Sequence, residues 1–306
     1  TTLFRSIALQ RVGDGVEYLS FALETAERAA DLYEDALCSL FMAGAQFLVG
    51  NYSKADRYAA RAELLAGKAD LPGWARRALF FRGRILFETG RYRDAAEIFD
   101  VVGGELGAPW SRRCGLYEGR TAEAARSGSF ESLEELLFAV ESEFLAGRYD
   151  GVLALTENGA ESEPSRRFVL VEQAAPRGGY AHCEDAAFPD GDFIHRHLKI
   201  FRALALGSGN SFERRVEALE LLRLMLKEST LPDADPYDAF YYYAQYRILK
   251  ETGASELDIS TALSVAFKRL QRRAGRTDDL ETKRSFLFLN RWNADLMAAA
   301  KANNLI

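Results

Sequence analysis

The sequence predicts an all-α chain in which antiparallel helix pairs stack on one another as a solenoid. Three observations carry that reading. The 306 residues hold 7 prolines, at 72, 109, 164, 176, 189, 232 and 236, so long stretches are free to be helical. The turn Gly-x-Tyr recurs as Gly50-Asn51-Tyr52, Gly90-Arg91-Tyr92 and Gly147-Arg148-Tyr149, with a looser copy at Gly128-Ser129-Phe130. Finally, Trp74-Ala75-Arg76-Arg77 … Phe81-Arg82-Gly83-Arg84 matches Trp110-Ser111-Arg112-Arg113 … Tyr117-Glu118-Gly119-Arg120 at a period of 36. Self-similarity at a fixed period is the signature of a repeat architecture.

Each element follows from local pattern. Residues 16–31 place Leu19, Leu23, Ala26 and Ala30 at helical spacing, so a helix precedes the first repeat. Every Gly-x-Tyr turn ends one apolar helical stretch and begins another. Glycine suits the left-handed cap of the first helix, and the aromatic two residues later can pack between the pair. Ser132-x-x-Glu135 offers a capping box for a helix around 130–146, with a start at Phe130 as the alternative. Residues 158–192 hold three prolines, several glycines and one short β-like run, Phe168–Val171, and read as an irregular connector. Helices resume at 193–206 and at 211–228. In the second, Ser211 is the expected N-cap and Val216, Leu219, Leu222 and Met225 the expected apolar face. Further helices are expected at 236–251, 257–273, 278–290 and 292–302. The organisation is thus 1–157 as helical repeats, 158–192 as connector and 193–306 as a C-terminal block of helical hairpins.

On these residues the chain resembles the tetratricopeptide repeat (TPR) family. From Arg76, the family's small residue, turn glycine, turn aromatic, alanine and late aromatic fall on Gly83, Gly90, Tyr92, Ala95 and Phe99. From Ala36 they fall on Ala43, Gly50, Tyr52 and Ala55, with Ala59 in place of the late aromatic. The segment from Arg112 supplies Gly119 and then a longer turn before Gly128. The resemblance is clearest over 35–157 and implies a right-handed superhelix of helix pairs and a scaffold that binds a segment of another protein. In that family the first helix of each pair lines a concave groove. Carried over, the groove positions are Leu37, Leu40, Gly44 and Phe47, then Arg77, Phe80, Arg84 and Phe87, then Arg113, Leu116, Arg120 and Glu123. The partner-binding set it implies is Leu40, Phe47, Arg77, Phe80, Arg84, Phe87, Arg113, Leu116 and Arg120. The family's clamp for a C-terminal carboxylate uses lysine and asparagine where this chain has Leu40, Phe80 or Leu116 and Gly44, Arg84 or Arg120. That departure argues against a receptor for chaperone tails.

Composition narrows the function classes. Lys+Arg 39 against Asp+Glu 45 leaves a charge of -6, which speaks against a nucleic-acid partner. Stacked arginines in the groove would suit an acidic protein segment, the guanidinium fork matching a carboxylate. The rival reading pairs those arginines with Glu88 and Glu118 on a solvated face. No run of about 18 apolar residues suggests a membrane span. Three widely spaced cysteines, Cys38, Cys114 and Cys183, favour free thiols and a reducing, cytoplasmic-type compartment. Position 1 is Thr without a leader pattern, so the chain is read as processed or as a piece of a longer protein, a regulatory or sensor segment being one alternative role. The other alternative is a metal site or enzyme on His182-Cys183-Glu184-Asp185 … His195-Arg196-His197. On a helix His195 and His197 diverge by about 200°, and no metal-binding spacing is present. No cofactor, metal ligand set or catalytic residue is therefore expected. The aromatic run Phe240–Tyr243, with Tyr237 and Tyr246, wraps a helix and suits core packing, with ring surface left for a partner as the alternative.

Overall fold

The computed structural model describes residues 12–120, 130, 132–160, 190–209, 211–228 and 235–306. Within them the chain forms fourteen helices and no strand. These are α1 (Val12–Ala29), α2 (Leu32–Val49), α3 (Tyr52–Lys68), α4 (Pro72–Glu88), α5 (Tyr92–Val102), α6 (Gly104–Tyr117) and α7 (Leu133–Leu145). They continue as α8 (Tyr149–Ala160), α9 (Asp190–Gly207), α10 (Phe212–Glu228), α11 (Asp238–Thr252), α12 (Glu256–Ala274), α13 (Leu280–Phe288) and α14 (Arg291–Ala302). The fold class is all-α, as the sequence predicts. The loose turn at Gly128, the run Phe168–Val171, Glu123 and His182–Asp185 lie outside the described residues.

Helix ends sit where cap residues place them. Asp31 accepts the backbone N–H of Tyr33 and Glu34 to open α2, and Asn51 accepts that of Lys54 to open α3. Pro72 is the first residue of α4, where its missing N–H costs nothing. Ser132 caps α7 through the Glu135 N–H at 3.2 Å, so that helix starts at Leu133 and not at Phe130. Gly50, Gly90 and Gly147 take left-handed φ of 90°, 78° and 73°, which ends the first helix of each pair and lets the second start at a tyrosine. Pro109 lies inside α6, which begins five residues earlier at Gly104.

Consecutive helices pack pairwise from α1 through α6, and α7 to α12 continue the neighbour-to-neighbour order. Small residues set the spacing of the pairs. A Cβ on Gly83 would stand 2.7 Å from the Phe99 ring, so only glycine lets α4 and α5 meet over that phenylalanine. Ala43, Ala55 and Ala59 play the same part between α2 and α3, each fully buried. On α10 the buried residues are Ala218, Leu222 and Met225, while Val216 is 46% exposed. The helix turns its 218/222/225 face inward because that spacing, four then three, meets α9 and α11 as one stripe.

The chain then folds back on itself. One apolar cluster joins Leu40 and Phe47 of α2, Tyr52 and Ala59 of α3 and Phe81 and Ile85 of α4 to Tyr243, Leu263, Leu270, Phe286 and Leu296 of α11–α14. A second joins α7–α11, with Trp292 of α14 packed against it. Burial of each such side chain stabilises the fold by about 1.5–3 kcal/mol. Phe240, Tyr241, Tyr243 and Tyr246 are buried, and Tyr237 and Tyr242 are half-buried against the same clusters, so the aromatic run serves the core. Among the described helices α2 is long and apolar enough to cross a membrane, with a mean hydropathy of 1.2, but 72% of it is buried inside the fold.

Candidate functional site

The feature that distinguishes this molecule from a bare stack of helix pairs is the seam where α11–α14 meet the Gly-x-Tyr turns. The last carbonyls of any helix lack an intrahelical partner. At the end of α2 those carbonyls are taken by side chains from the end of α12. Arg273 donates to Phe47 O at 2.7 Å and Leu48 O at 3.1 Å, Arg276 to Val49 O at 3.0 Å and Thr277 to Gly50 O at 2.9 Å. The same Arg273 donates its Nε–H to the Tyr52 hydroxyl at 2.8 Å. At the end of α4 the arrangement repeats with other donors. Asn290 donates to Glu88 O at 3.0 Å, Ser285 to Thr89 O at 2.7 Å, and the Arg291 backbone N–H to the Tyr92 hydroxyl at 3.0 Å.

The turn glycines are needed twice over. Besides their φ, a Cβ on Gly50 would lie 2.8 Å from Arg273 Cγ, and one on Gly90 would lie 2.2 Å from the Asn290 nitrogen. At Gly147 no atom of the described residues stands within 4 Å. Two of the three strict Gly-x-Tyr turns are thus occupied by the C-terminal helices, and the third is clear of the other described residues.

Behind the seam lies a buried polar layer. Arg113 of α6 makes a two-pronged pair with Glu141 of α7, both contacts 2.7 Å, with the two side chains 6% and 0% exposed. Tyr117 donates to the same carboxylate and accepts from the Trp292 indole N–H. The Arg84 and Arg113 guanidinium groups lie 4.0 and 4.3 Å from the centre of the Trp110 ring, a favourable cation–π placement. Glu88 accepts the Tyr237 hydroxyl. Burial raises the Glu88 carboxyl above its ordinary range, against the pull of Arg84, Tyr237, Arg113 and Arg273. Burial also raises Asp235, and pushes Asp238 up to about 6 despite Arg269 and Arg273. The enclosed cavity between these groups measures about 30 Å³, too small for an organic ligand. An open cleft of about 470 Å³ lies at the outer edge of the seam, lined by Tyr52, Asp56, Arg57, Leu86, Arg91 and Thr282 among others.

Against this geometry the nine groove positions divide. Leu40, Phe47, Arg84, Phe87, Arg113 and Leu116 are buried within the chain, at 1–8% exposure. Leu40 and Phe47 pack in the cluster shared with α11–α14, and Phe87 packs with Tyr92 and Trp110. Arg77 and Phe80 are half-buried, Arg77 over the Trp74 ring at 5.4 Å. Arg120 is 65% exposed and pairs with Glu118. The seam donors Arg273, Thr277, Ser285 and Asn290 escape a sequence reading, since neither they nor their carbonyl acceptors carry a motif. The Trp-x-x-Arg spacing at 74–77 and 110–113 was the available sign that these arginines stack on rings.

Of the histidine cluster, His195 and His197 are the histidines among the described residues. Both lie on α9, and His197 is buried against Tyr237 and Phe240. No group of three His, Cys, Asp or Glu side chains could hold a metal ion among the described residues. Burial pushes the thiols of Cys38 and Cys114 up to about 11 and about 12, so neither is poised as a nucleophile.

Comparison with known proteins adds two matches. A family model described as a C-terminal domain, TP_0123_C, covers residues 185–304, the stretch that holds α9–α14. The chain is also 24% identical over 338 residues to a TPR repeat-containing protein of Treponema pallidum (strain Nichols), an alignment covering 99% of this chain and 38% of that protein. The chain therefore spans well under half the length of this curated relative. No solved structure matches it. The matches support a TPR-type family, in line with Gly83, Gly90, Tyr92, Ala95 and Phe99, and with it a protein-interaction scaffold in general terms.

Proposed function

We propose that the chain is a non-enzymatic scaffold that receives a segment of a partner protein along its row of first helices. The observation that carries the reading is the division of that row. Six of its nine positions are buried in the chain's own core, whereas Arg120 keeps 65% of its side chain exposed and Arg77 and Phe80 stay partly open. In this reading the buried six hold the repeats to the C-terminal helices. Arg77, Phe80 and Arg120 are left to a partner, with the two arginines favouring carboxylates on it.

The test is affinity capture with the full chain, followed by comparison of the chains retained. Arg77→Glu with Arg120→Glu is expected to lose a partner that the parent protein holds, with unfolding midpoint unchanged. Arg223→Glu, at a side chain 72% exposed on α10, serves as the control for charge alone. Capture equal in both variants refutes the assignment. The greater length of the curated relative supports a second reading, in which these repeats form a regulatory segment of a larger protein.

A further inference from the structure

Three carboxyl groups meet in the seam from opposite sides: Glu88 at the end of α4, and Asp235 and Asp238 at the entrance to α11. Each is only 5–7% exposed. One residue links them, because Tyr237 donates its hydroxyl to Glu88 and its backbone N–H to Asp235 at 2.9 Å. The cations that face them come from four helices. Arg84 of α4 and Arg113 of α6 face Glu88, Arg196 of α9 pairs with Asp235 at 2.6 Å, and Arg269 of α12 pairs with Asp238 at 3.2 Å.

Arg273 of α12 is the deeply buried cation near all three, at 4% exposure, and its hydrogen bonds go elsewhere. They go to Tyr52 and to the carbonyls of Phe47, Leu48 and Asp235. It therefore acts on the three carboxyls through space and not by a hydrogen bond. The carboxyls are withdrawn from water, and burial outweighs the cations beside them and favours the protonated acid.

We propose that docking of the C-terminal helices onto the Gly50 and Gly90 turns is coupled to proton uptake at Glu88, Asp235 and Asp238, so that the seam tightens in a mildly acidic medium. The sign follows from burial. A carboxyl raised in the closed seam contributes stability that is complete below its ordinary range and is lost as pH rises through its raised value. For Asp238 the window runs from the ordinary 3.8 to about 6. Between pH 8 and pH 5.5 that residue alone favours the closed seam by about fourfold. His197 lines the same cavity from α9. Comparing the parent chain with its Asp238→Asn variant isolates the contribution of Asp238.

The test is hydrogen–deuterium exchange of the full chain at pH 5.5 and 8.0, with the chemical exchange rate divided out. Peptides covering 45–53, 86–93 and 271–279 report the seam, and 133–157 serves as the internal reference. Seam protection is expected to be at least about fourfold higher at pH 5.5 relative to the reference. Asp238→Asn should remove about that fourfold. Equal protection at both values, a change in the opposite direction, or a full pH response in Asp238→Asn overturns the proposal. Carbon-13 titration of the aspartate carboxyls in the parent chain provides a reading that needs no variant. An inflection near 6 for Asp238 supports the coupling, and one near the ordinary 3.8 overturns it.

Discussion

Gly90→Ala separates the seam from the turn it covers, because Gly147 provides an equivalent turn that no described residue covers. The two glycines share the left-handed conformation, with φ of 78° and 73°, and the same place in their Gly-x-Tyr sequences. At either site a Cβ in that region costs about 1–2 kcal/mol, offset by the smaller entropy of the unfolded alanine chain, about 0.4–1 kcal/mol. Gly147→Ala should therefore lose about 1 kcal/mol or less, since no atom of the described residues lies within 4 Å of the new methyl.

At Gly90 the methyl would stand 2.2 Å from main-chain atoms of Leu289 and Asn290, which cannot rotate away. The segment must retreat, and the bonds from Ser285 to Thr89 O and from Asn290 to Glu88 O retreat with it. Two hydrogen bonds lost to buried carbonyls cost about 1–2 kcal/mol each, so the total for Gly90→Ala comes to about 3–5 kcal/mol. Urea unfolding of the full chain, followed by circular dichroism, measures both variants on one scale. Equal losses at the two glycines would refute the argument that the seam rests on Gly90.

Other perturbations test separate parts of the same picture. Glu141→Gln should destabilise the chain by about 3–5 kcal/mol, because it leaves Arg113 charged and buried, and a paired Arg113→Met, Glu141→Leu chain should recover much of that loss in thermal denaturation. Arg120→Glu should change the unfolding free energy by less than about 0.5 kcal/mol, since Arg120 is largely exposed and its pair with Glu118 is screened by water. In the folded chain at pH 8, a maleimide reagent should label at most one thiol of the three, with Cys38 and Cys114 reacting only after denaturant is added. Labelling of either buried thiol at the free-cysteine rate would show that its helix pair opens readily.

The helix pairs were legible because they are local. A glycine, an aromatic two residues later and apolar residues three and four apart are all within one turn of the atoms they organise, and Gly50–Tyr52 and Gly90–Tyr92 appear in the fold where the spacing puts them. The closure was not legible, because its bonds join residues far apart in the chain and end on main-chain oxygens. Arg273 and Phe47 are separated by 226 positions. Nothing in either neighbourhood announces the other. Arg84 and Arg113 illustrate the same limit from the other side. Helical position identified them as facing the inside of the stack, but whether water or protein fills that inside depends on Trp110, Glu141 and the C-terminal helices together.

The acceptors that receive the C-terminal helices are backbone oxygens at Phe47, Leu48, Val49, Gly50, Glu88 and Thr89. Every residue type carries such an oxygen, so apart from the Tyr52 and Tyr92 hydroxyls the address read by Arg273 or Asn290 is a shape of the main chain. Substitution along the outer faces of α2 and α4 can then proceed widely while the address stays intact, provided the glycine and the tyrosine at each turn survive. Correlated changes between the two halves would be sparse at this boundary, and an attempt to infer the boundary from paired substitutions would underestimate how firmly the halves are joined. Grafting is the practical counterpart: a foreign helix pair that carries the same Gly-x-Tyr turn with its glycine left-handed presents the same row of oxygens, whatever the rest of its sequence.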